Sequence, residues 1–154
     1  MIMKNENDIY IYFETISQLE PKKILDVGMV LKRVGSIARK VMDGEVPENV
    51  QLDGINIFQE VDFPVWKQVY NNIYRKEEFL TDSKDREYDL IIMLGMEKLL
   101  EKISFEELRI IIMNGTRFLL TDTLFDEWKI NNNNVKVNDL FVEEDLYYLI
   151  EIGV

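Results

Sequence analysis

The pattern of apolar and polar positions divides the chain into helical and extended segments. Apolar side chains recur at helical spacing over residues 8–20, and Pro21 ends that pattern. The tetrapeptide Ser104-Phe105-Glu106-Glu107 is a capping box, which predicts a helix that closes at Asn114-Gly115. Further helices are predicted from Gly35 or Ser36 to near Gly44, over residues 62–73 behind the start signal Asp62-Phe63-Pro64, and over residues 97–101.

Short, continuous apolar runs indicate the strands. The clearest is Tyr88 to Gly95, whose unbroken run is typical of a strand buried on both faces of a parallel sheet. The first strand of the chain, Ile24 to Gly28, follows the first helix. The full set of predicted strands is 24–28, 51–58, 74–80 at an edge, 88–95, 117–123, 135–141 and 146–152.

The order of these elements indicates one fold class. Strands alternate with helices up to residue 123, which predicts a parallel sheet with right-handed crossovers. The last two strands are joined by the acidic turn Glu143-Glu144-Asp145, and so short a link makes them an antiparallel pair at the edge. We therefore expect an α/β three-layer sandwich in a single domain, residues 1–154, with the N-terminal helix 8–20 ahead of a core at 22–154.

Composition narrows the chemistry. The chain has 154 residues, 47% of them apolar, and a formal net charge of −11, so it can build a core but repels phosphate backbones. It contains neither cysteine nor histidine, which excludes thiolate nucleophiles, imidazole bases and Cys/His metal sites. No apolar run approaches ~18 residues, and the start is not a signal peptide. We expect a soluble cytoplasmic protein with no nucleic-acid partner, no membrane and no metal.

The stretch Ile24 to Gly28, followed by a loop and a helix start at Gly35, is where a ligand is expected. In α/β sheets, ligands gather at the carboxyl ends of the strands, over the N-terminus of the next helix. Neither a G-x-G-x-x-G nor a P-loop motif follows this strand, so a nicotinamide or nucleoside triphosphate site is not predicted. Asp26 is expected to anchor the loop by hydrogen bonds to backbone amides, with or without a cofactor.

Four segments carry a further pattern: Ile24-Leu25-Asp26-Val27-Gly28 with Gly35-Ser36-Ile37-Ala38-Arg39, Gly54-Ile55-Asn56-Ile57, Tyr88 to Ile92 with Leu94 to Leu100, and Gly115 to Asp122. Taken together and in order, they resemble the class I S-adenosylmethionine-dependent methyltransferases. The resemblance implies a methyltransferase-like (Rossmann-like) fold that covers most of the chain from about residue 22. It also implies S-adenosylmethionine as the cofactor, bordered by Asp26, Gly28, Gly35, Asn56, Leu94 and Gly95.

Two departures from that family pattern bear on function. The family's first loop alternates glycines, whereas here only Gly28 and Gly35 remain, with bulky residues such as Met29 and Leu31 between them. The family also places a carboxylate at the end of the second strand to accept hydrogen bonds from the ribose hydroxyls, and this chain has Asn56. An amide should hold the ribose less strongly, by ~1–2 kcal/mol.

Two functions therefore stay open. The chain is either a methyltransferase that transfers a methyl group in line to a small or carbohydrate-like acceptor, or a non-catalytic, degenerate methyltransferase fold that serves as an interaction or regulatory module. An open cavity beyond Gly28 would favour the first, and Met29, Val30 or Leu31 packed into it would favour the second. An apolar patch bearing Trp128 or the pair Tyr147 and Tyr148 would indicate a protein partner or a homodimer.

Overall fold

The protein is described by a computed structural model over residues 2–29, 50–57, 70–81, 87–94, 101–113, 115, 117–121, 135–142 and 145–152. These residues form three helices and seven strands. The helices are α1 (Ile2–Leu19), α2 (Lys76–Thr81) and α3 (Phe105–Ile112). The strands are β1 (Lys23–Val27), β2 (Gln51–Asn56), β3 (Asn72–Arg75), β4 (Leu90–Met93), β5 (Arg117–Thr121), β6 (Val135–Val142) and β7 (Asp145–Ile152).

All seven strands belong to one sheet in the order β3-β2-β1-β4-β5-β7-β6. Strands β1 to β5 are parallel, and β7 runs antiparallel to both of its neighbours, β5 and β6. The predicted fold class, a mostly parallel sheet with a C-terminal antiparallel strand pair, is confirmed.

The placement of the C-terminal pair differs from a simple edge hairpin, because β7 inserts between β5 and β6. The burial of the two strands explains the difference. In β7, Tyr147, Leu149 and Ile150 are buried and reach both faces of the sheet, which is typical of an interior strand covered on both sides. Strand β6 carries the exposed Lys136 and Asp139, which suit the outer edge.

Residues 70–81 correct two sequence predictions. The third strand is Asn72–Arg75, not 74–80, and the helix predicted over 62–73 cannot reach Ile73, which lies in β3. The apolar pair Ile73 and Tyr74 points to opposite faces of the sheet, as a strand requires. The residues that follow form α2, with Glu77 and Glu78 in its first turn and Phe79 as its buried anchor.

The remaining predicted helices divide into confirmed and undescribed ones. Helix α1 is longer than the predicted 8–20, and α3 has the predicted capping box: Ser104 Oγ accepts from the Glu107 amide at 3.2 Å, and Glu107 Oε1 accepts from the Ser104 amide at 2.9 Å. The helix predicted over 35–44, most of the helices predicted over 62–73 and 97–101, and the asparagine turn 131–134 lie outside the described residues. Within the described part of the chain, no helix has the length and apolar character needed to cross a bilayer.

The core is split by the sheet into two layers. One layer packs α1 against the sheet through Tyr12, Ile16, Ile24, Leu52 and Leu90. We call this side the α1 face. The other layer packs α2 and α3 against the opposite side through Phe79, Leu108, Ile111, Leu25 and Ile91, and we call it the α3 face. Alternate residues of each strand supply the two layers.

Candidate functional site

The carboxyl ends of β1, β2 and β4 lie side by side and form the candidate site. Register fixes their alignment: Asp26 is level with Gly54 of β2 on one side and with Ile92 of β4 on the other. Beyond β1 the chain turns at Gly28, whose φ is 87°, and the Gly28 amide donates to the Ile55 carbonyl at 2.9 Å. Glycine adopts this left-handed conformation without strain, so Gly28 ends β1 sharply at the sheet edge.

Asp26 is fully buried on the α1 face, where it accepts hydrogen bonds from two tyrosines. Its Oδ2 lies 2.6 Å from the Tyr70 hydroxyl and 3.3 Å from the Tyr12 hydroxyl. Tyr12 is supplied by α1, and Tyr70 lies just ahead of β3, so this carboxylate ties two distant segments to β1. Burial, followed by the negative charge and hydrogen bond of Asp26, raises the pKa of Tyr12 well above its usual value. All three effects keep the Tyr12 hydroxyl protonated, as a donor must be.

Met29 follows the glycine turn and is fully buried in the layer on the α1 face. Its φ of 50° is left-handed, which a non-glycine residue adopts at a cost. Its side chain lies over Gly54, where an added Cβ would come within 2.7 Å of Met29 Cγ and 3.0 Å of the Tyr70 ring. Gly54 is therefore required so that Met29 and Tyr70 can pack flat against β2.

Asn56 is the last residue of β2 and brings an unused acceptor to the site. Its Oδ1 is buried and has no hydrogen-bond partner among the described residues. A buried polar atom without a partner costs about 1–3 kcal/mol, so most such atoms in native proteins are paired. Asn56 shares the α1 face with Gly54, two residues earlier in the strand.

Of the other site residues predicted from the sequence, one is described by the structure and two are not. Leu94 directly follows β4 and is buried on the α1 face, so it belongs to the core wall beneath the edge. Gly35 and Gly95 lie outside the described residues, and their cofactor roles stay predictions. The structure thus brings together Asp26, Gly28 and Asn56, with Leu94 beneath them.

Three further residues contribute to this region, of which the sequence suggested only Tyr12, as an aromatic of the first helix that could border a ligand. Tyr12 and Tyr70 hold Asp26, and Arg75 ends β3 directly beside Asn56 in the register. No local motif marks them, because each reaches the site from a different segment. Tyr147, considered as part of a partner patch, is instead buried and donates to Asp8 Oδ1 at 2.6 Å. No group of three or more acidic residues that could hold a metal ion occurs in the described ranges.

Comparisons with known proteins bear on this arrangement. No family model matches the chain, and no curated protein sequence matches it. Solved structures do match, and several methyltransferases are among them. The sheet order with its antiparallel β7 and these structural matches show that the chain has a methyltransferase-like α/β fold.

The individual likenesses are low in sequence identity. A methyltransferase from Geobacter sulfurreducens superposes with a TM-score of 0.63 at 7% identity, over 94% of this chain and 77% of that one. The plantazolicin methyltransferase BpumL, in complex with a monoazolic desmethylPZN analog and S-adenosylhomocysteine (SAH), gives 0.57 at 11%, over 99% and 84%. The 16S rRNA methylase RmtB gives 0.59 at 15%, over 94% of this chain and 61% of its own. The chain thus spans about three fifths of the length of that rRNA methylase.

Proposed function

We propose that the chain binds S-adenosylmethionine at the carboxyl ends of β1, β2 and β4 and transfers its methyl group to a small or carbohydrate-like acceptor. The observation that carries the proposal is the buried Asn56 Oδ1, which has no partner among the described residues. A ribose hydroxyl bound there would donate to this oxygen and remove the cost of leaving it unpaired.

The residues present fit the cofactor at one further point. Gly28 turns the backbone away from the sheet edge at a φ of 87° and leaves no side chain there. BpumL, which shares the fold, is a complex with S-adenosylhomocysteine.

In methyl transfer, the main task of the protein is to position the cofactor and the acceptor. The cofactor supplies the activated methyl group when it is bound. Asn56 would fix the ribose, and the glycine turn at Gly28 would let the ligand approach the backbone. In-line transfer draws its rate mainly from proximity and orientation, so the lack of histidine is no obstacle. The net charge of −11 favours an uncharged or cationic acceptor over a nucleic acid.

A second candidate function rests on Met29. This bulky residue accepts a left-handed φ of 50° and is fully buried in the layer that also holds Tyr70. Such packing fills space near the candidate site with a core side chain. It supports a non-catalytic protein that acts by binding a protein partner or a second copy of itself.

Calorimetric titration with S-adenosylmethionine and S-adenosylhomocysteine tests the first proposal. We expect micromolar binding by the unmodified protein, a loss of about tenfold in Asn56→Leu, and no change in Asn138→Leu, which makes the same substitution on the distant strand β6. No binding at millimolar ligand by a folded protein would reject the cofactor and leave the non-catalytic function. Equal losses in the two variants would show that Asn56 does not contact the ribose.

A further inference from the structure

Arg75 occupies the carboxyl end of β3, immediately next to Asn56 at the end of β2. The two residues are register partners in parallel strands, so their Cα atoms are about 5 Å apart. Both continue the α1 face, because Ile73, two residues before Arg75, packs into the layer on that face beside Gly54. An arginine side chain therefore starts beside Asn56, whose Oδ1 has no partner among the described residues.

The Arg75 guanidinium is held only loosely by its described partner. Its Nε lies 3.8 Å from Glu78 Oε1, and the side chains are 72% and 62% exposed. Exposed pairs of this kind contribute little, because water and salt screen them. The next basic residue, Lys76, is engaged elsewhere, since its Nζ donates to the Lys102 carbonyl at 3.0 Å and pairs with Glu107 Oε2 at 3.2 Å. Arg75 is thus the basic residue next to Asn56 in the described sheet, and its weak, exposed pair with Glu78 of α2 leaves the guanidinium free to turn toward a ligand there.

Asn56 changes which ligands this pair can accept. A carboxylate at the end of β2 only accepts hydrogen bonds, and it would repel a phosphate and attract Arg75 to itself. The amide of Asn56 carries an acceptor for a hydroxyl and Nδ2–H donors for a phosphate oxygen. In dinucleotide-binding sheets, an acid at this position reads a free ribose hydroxyl, whereas a nearby arginine accommodates a ribose phosphate.

We infer that the nucleoside site accepts a phosphate on the ribose, and that an adenosine phosphorylated at the 2′ or 3′ oxygen binds it better than one with free hydroxyls. The inference rests on the proposed function only in placing an adenine nucleoside at this edge. Asn56 Nδ2 and the Arg75 guanidinium donate to the phosphate, and the charge-assisted bond supplies the preference.

Calorimetry with matched ligands tests the preference. The ligands are adenosine 2′-monophosphate, adenosine 3′-monophosphate, adenosine 5′-monophosphate, adenosine, S-adenosylhomocysteine and inorganic phosphate. We expect a 2′- or 3′-monophosphate to bind about tenfold more tightly than adenosine and than the 5′-monophosphate, which carries the same charge at the wrong oxygen. Inorganic phosphate alone should bind weakly, and the preference should shrink as salt is added.

Three variants locate the effect. Arg75→Met should abolish the preference, and Asn56→Asp should reverse it by restoring the carboxylate. Arg109→Met is the matched control, because Arg109 also makes an exposed pair three residues away, 3.4 Å from Glu106, but on α3. It should leave every affinity unchanged.

The outcomes separate the two proposals. Binding of S-adenosylhomocysteine with no gain from a ribose phosphate would overturn this inference and keep the proposed cofactor. A phosphate preference without detectable S-adenosylhomocysteine binding would keep the inference and reject that cofactor. A preference that survives Arg75→Met, or that is lost equally in Arg109→Met, would overturn the inference, and failure of every adenosine ligand would overturn both proposals.

Discussion

Two buried aspartates on neighbouring strands face opposite sides of the same sheet and are satisfied in different ways. Asp26 of β1 is level with Gly54, one residue beyond Asp53 of β2, so the two carboxylates point to the α1 face and the α3 face respectively. Asp26 accepts from two fully buried tyrosines, Tyr12 and Tyr70. Asp53 accepts from the buried Tyr88 at 2.8 Å, and also from Gln51 and Asn72, which are partly open to water.

The difference shows what each carboxylate holds together. Asp26 lies near the carboxyl end of β1 and joins segments far apart in the chain, so it supports the edge where Gly28 and Asn56 meet. Asp53 links β2 to its neighbour β3 and to Tyr88 ahead of β4, within the sheet. Loss of Asp26 should therefore disturb the candidate site, whereas loss of Asp53 should disturb only stability.

The largest expected effect is the loss of stability on removing either carboxylate. Asp26→Ala leaves two buried hydroxyls without this acceptor and should lower the free energy of unfolding by about 4 kcal/mol. Asp53→Ala should cost about 2 kcal/mol, since water can replace it at Gln51 and Asn72. Urea denaturation measures both losses. The conservative variants Asp26→Asn and Asp53→Asn, which keep one acceptor, should lose less than the alanine variants, and equal losses for the two alanine variants would contradict the comparison.

The next effect distinguishes the two tyrosines that share Asp26. The Tyr70 hydroxyl is 2.6 Å from Asp26 Oδ2 and the Tyr12 hydroxyl is 3.3 Å away, so the first bond is the stronger. Tyr70→Phe should cost about 2 kcal/mol and Tyr12→Phe about 1 kcal/mol in the same denaturation experiment. A double variant measures their coupling through the shared oxygen. The reverse order of losses would show that distance does not rank these bonds.

The smallest effect is a dependence of stability on alkaline pH. The folded protein raises the pKa of Tyr12, so its contribution is complete below the unfolded value near pH 10 and is lost as pH rises above that. Between pH 9 and pH 11, Tyr12→Phe should lose about 1 kcal/mol less stability than the unmodified protein. Tyr147, whose pKa is also raised by burial and by Asp8, should keep some slope in both proteins. Parallel pH profiles would indicate that Tyr12 ionises as freely in the fold as in the unfolded chain.

Much of the fold could be predicted from local patterns. The unbroken apolar run ending at Leu94 indicated a central strand, and the Ser104 capping box indicated the start of α3. The error at β3 has a physical cause: Tyr70 and Ile73 are at helical spacing, but Tyr70 is turned toward Asp26 and Ile73 lies in a strand. Spacing alone cannot separate these two arrangements when a strand is only four residues long.

The candidate site was predicted in part. Asp26, Gly28 and Asn56 could be placed at neighbouring strand ends, because parallel strands bring their carboxyl ends to one edge. The tyrosine hydroxyls that donate to Asp26 could not be predicted, because Tyr12 and Tyr70 come from distant segments, and the expected backbone amide partners stay a prediction. Arg75 was missed as well, since its place beside Asn56 depends on where β3 begins.

The sequence by itself determined the class of fold, the absence of imidazole and thiol chemistry, and the glycine and asparagine at the strand ends, because these follow from composition and from periodicity along the chain. Only the tertiary structure decided that β7 lies between β5 and β6 and that Met29 packs onto Gly54. It also decided that Asn56 lies beside Arg75 and that its Oδ1 has no partner among the described residues. Those features arise where segments distant in the chain meet, and the contacts that settle them are set by packing and register rather than by local spacing.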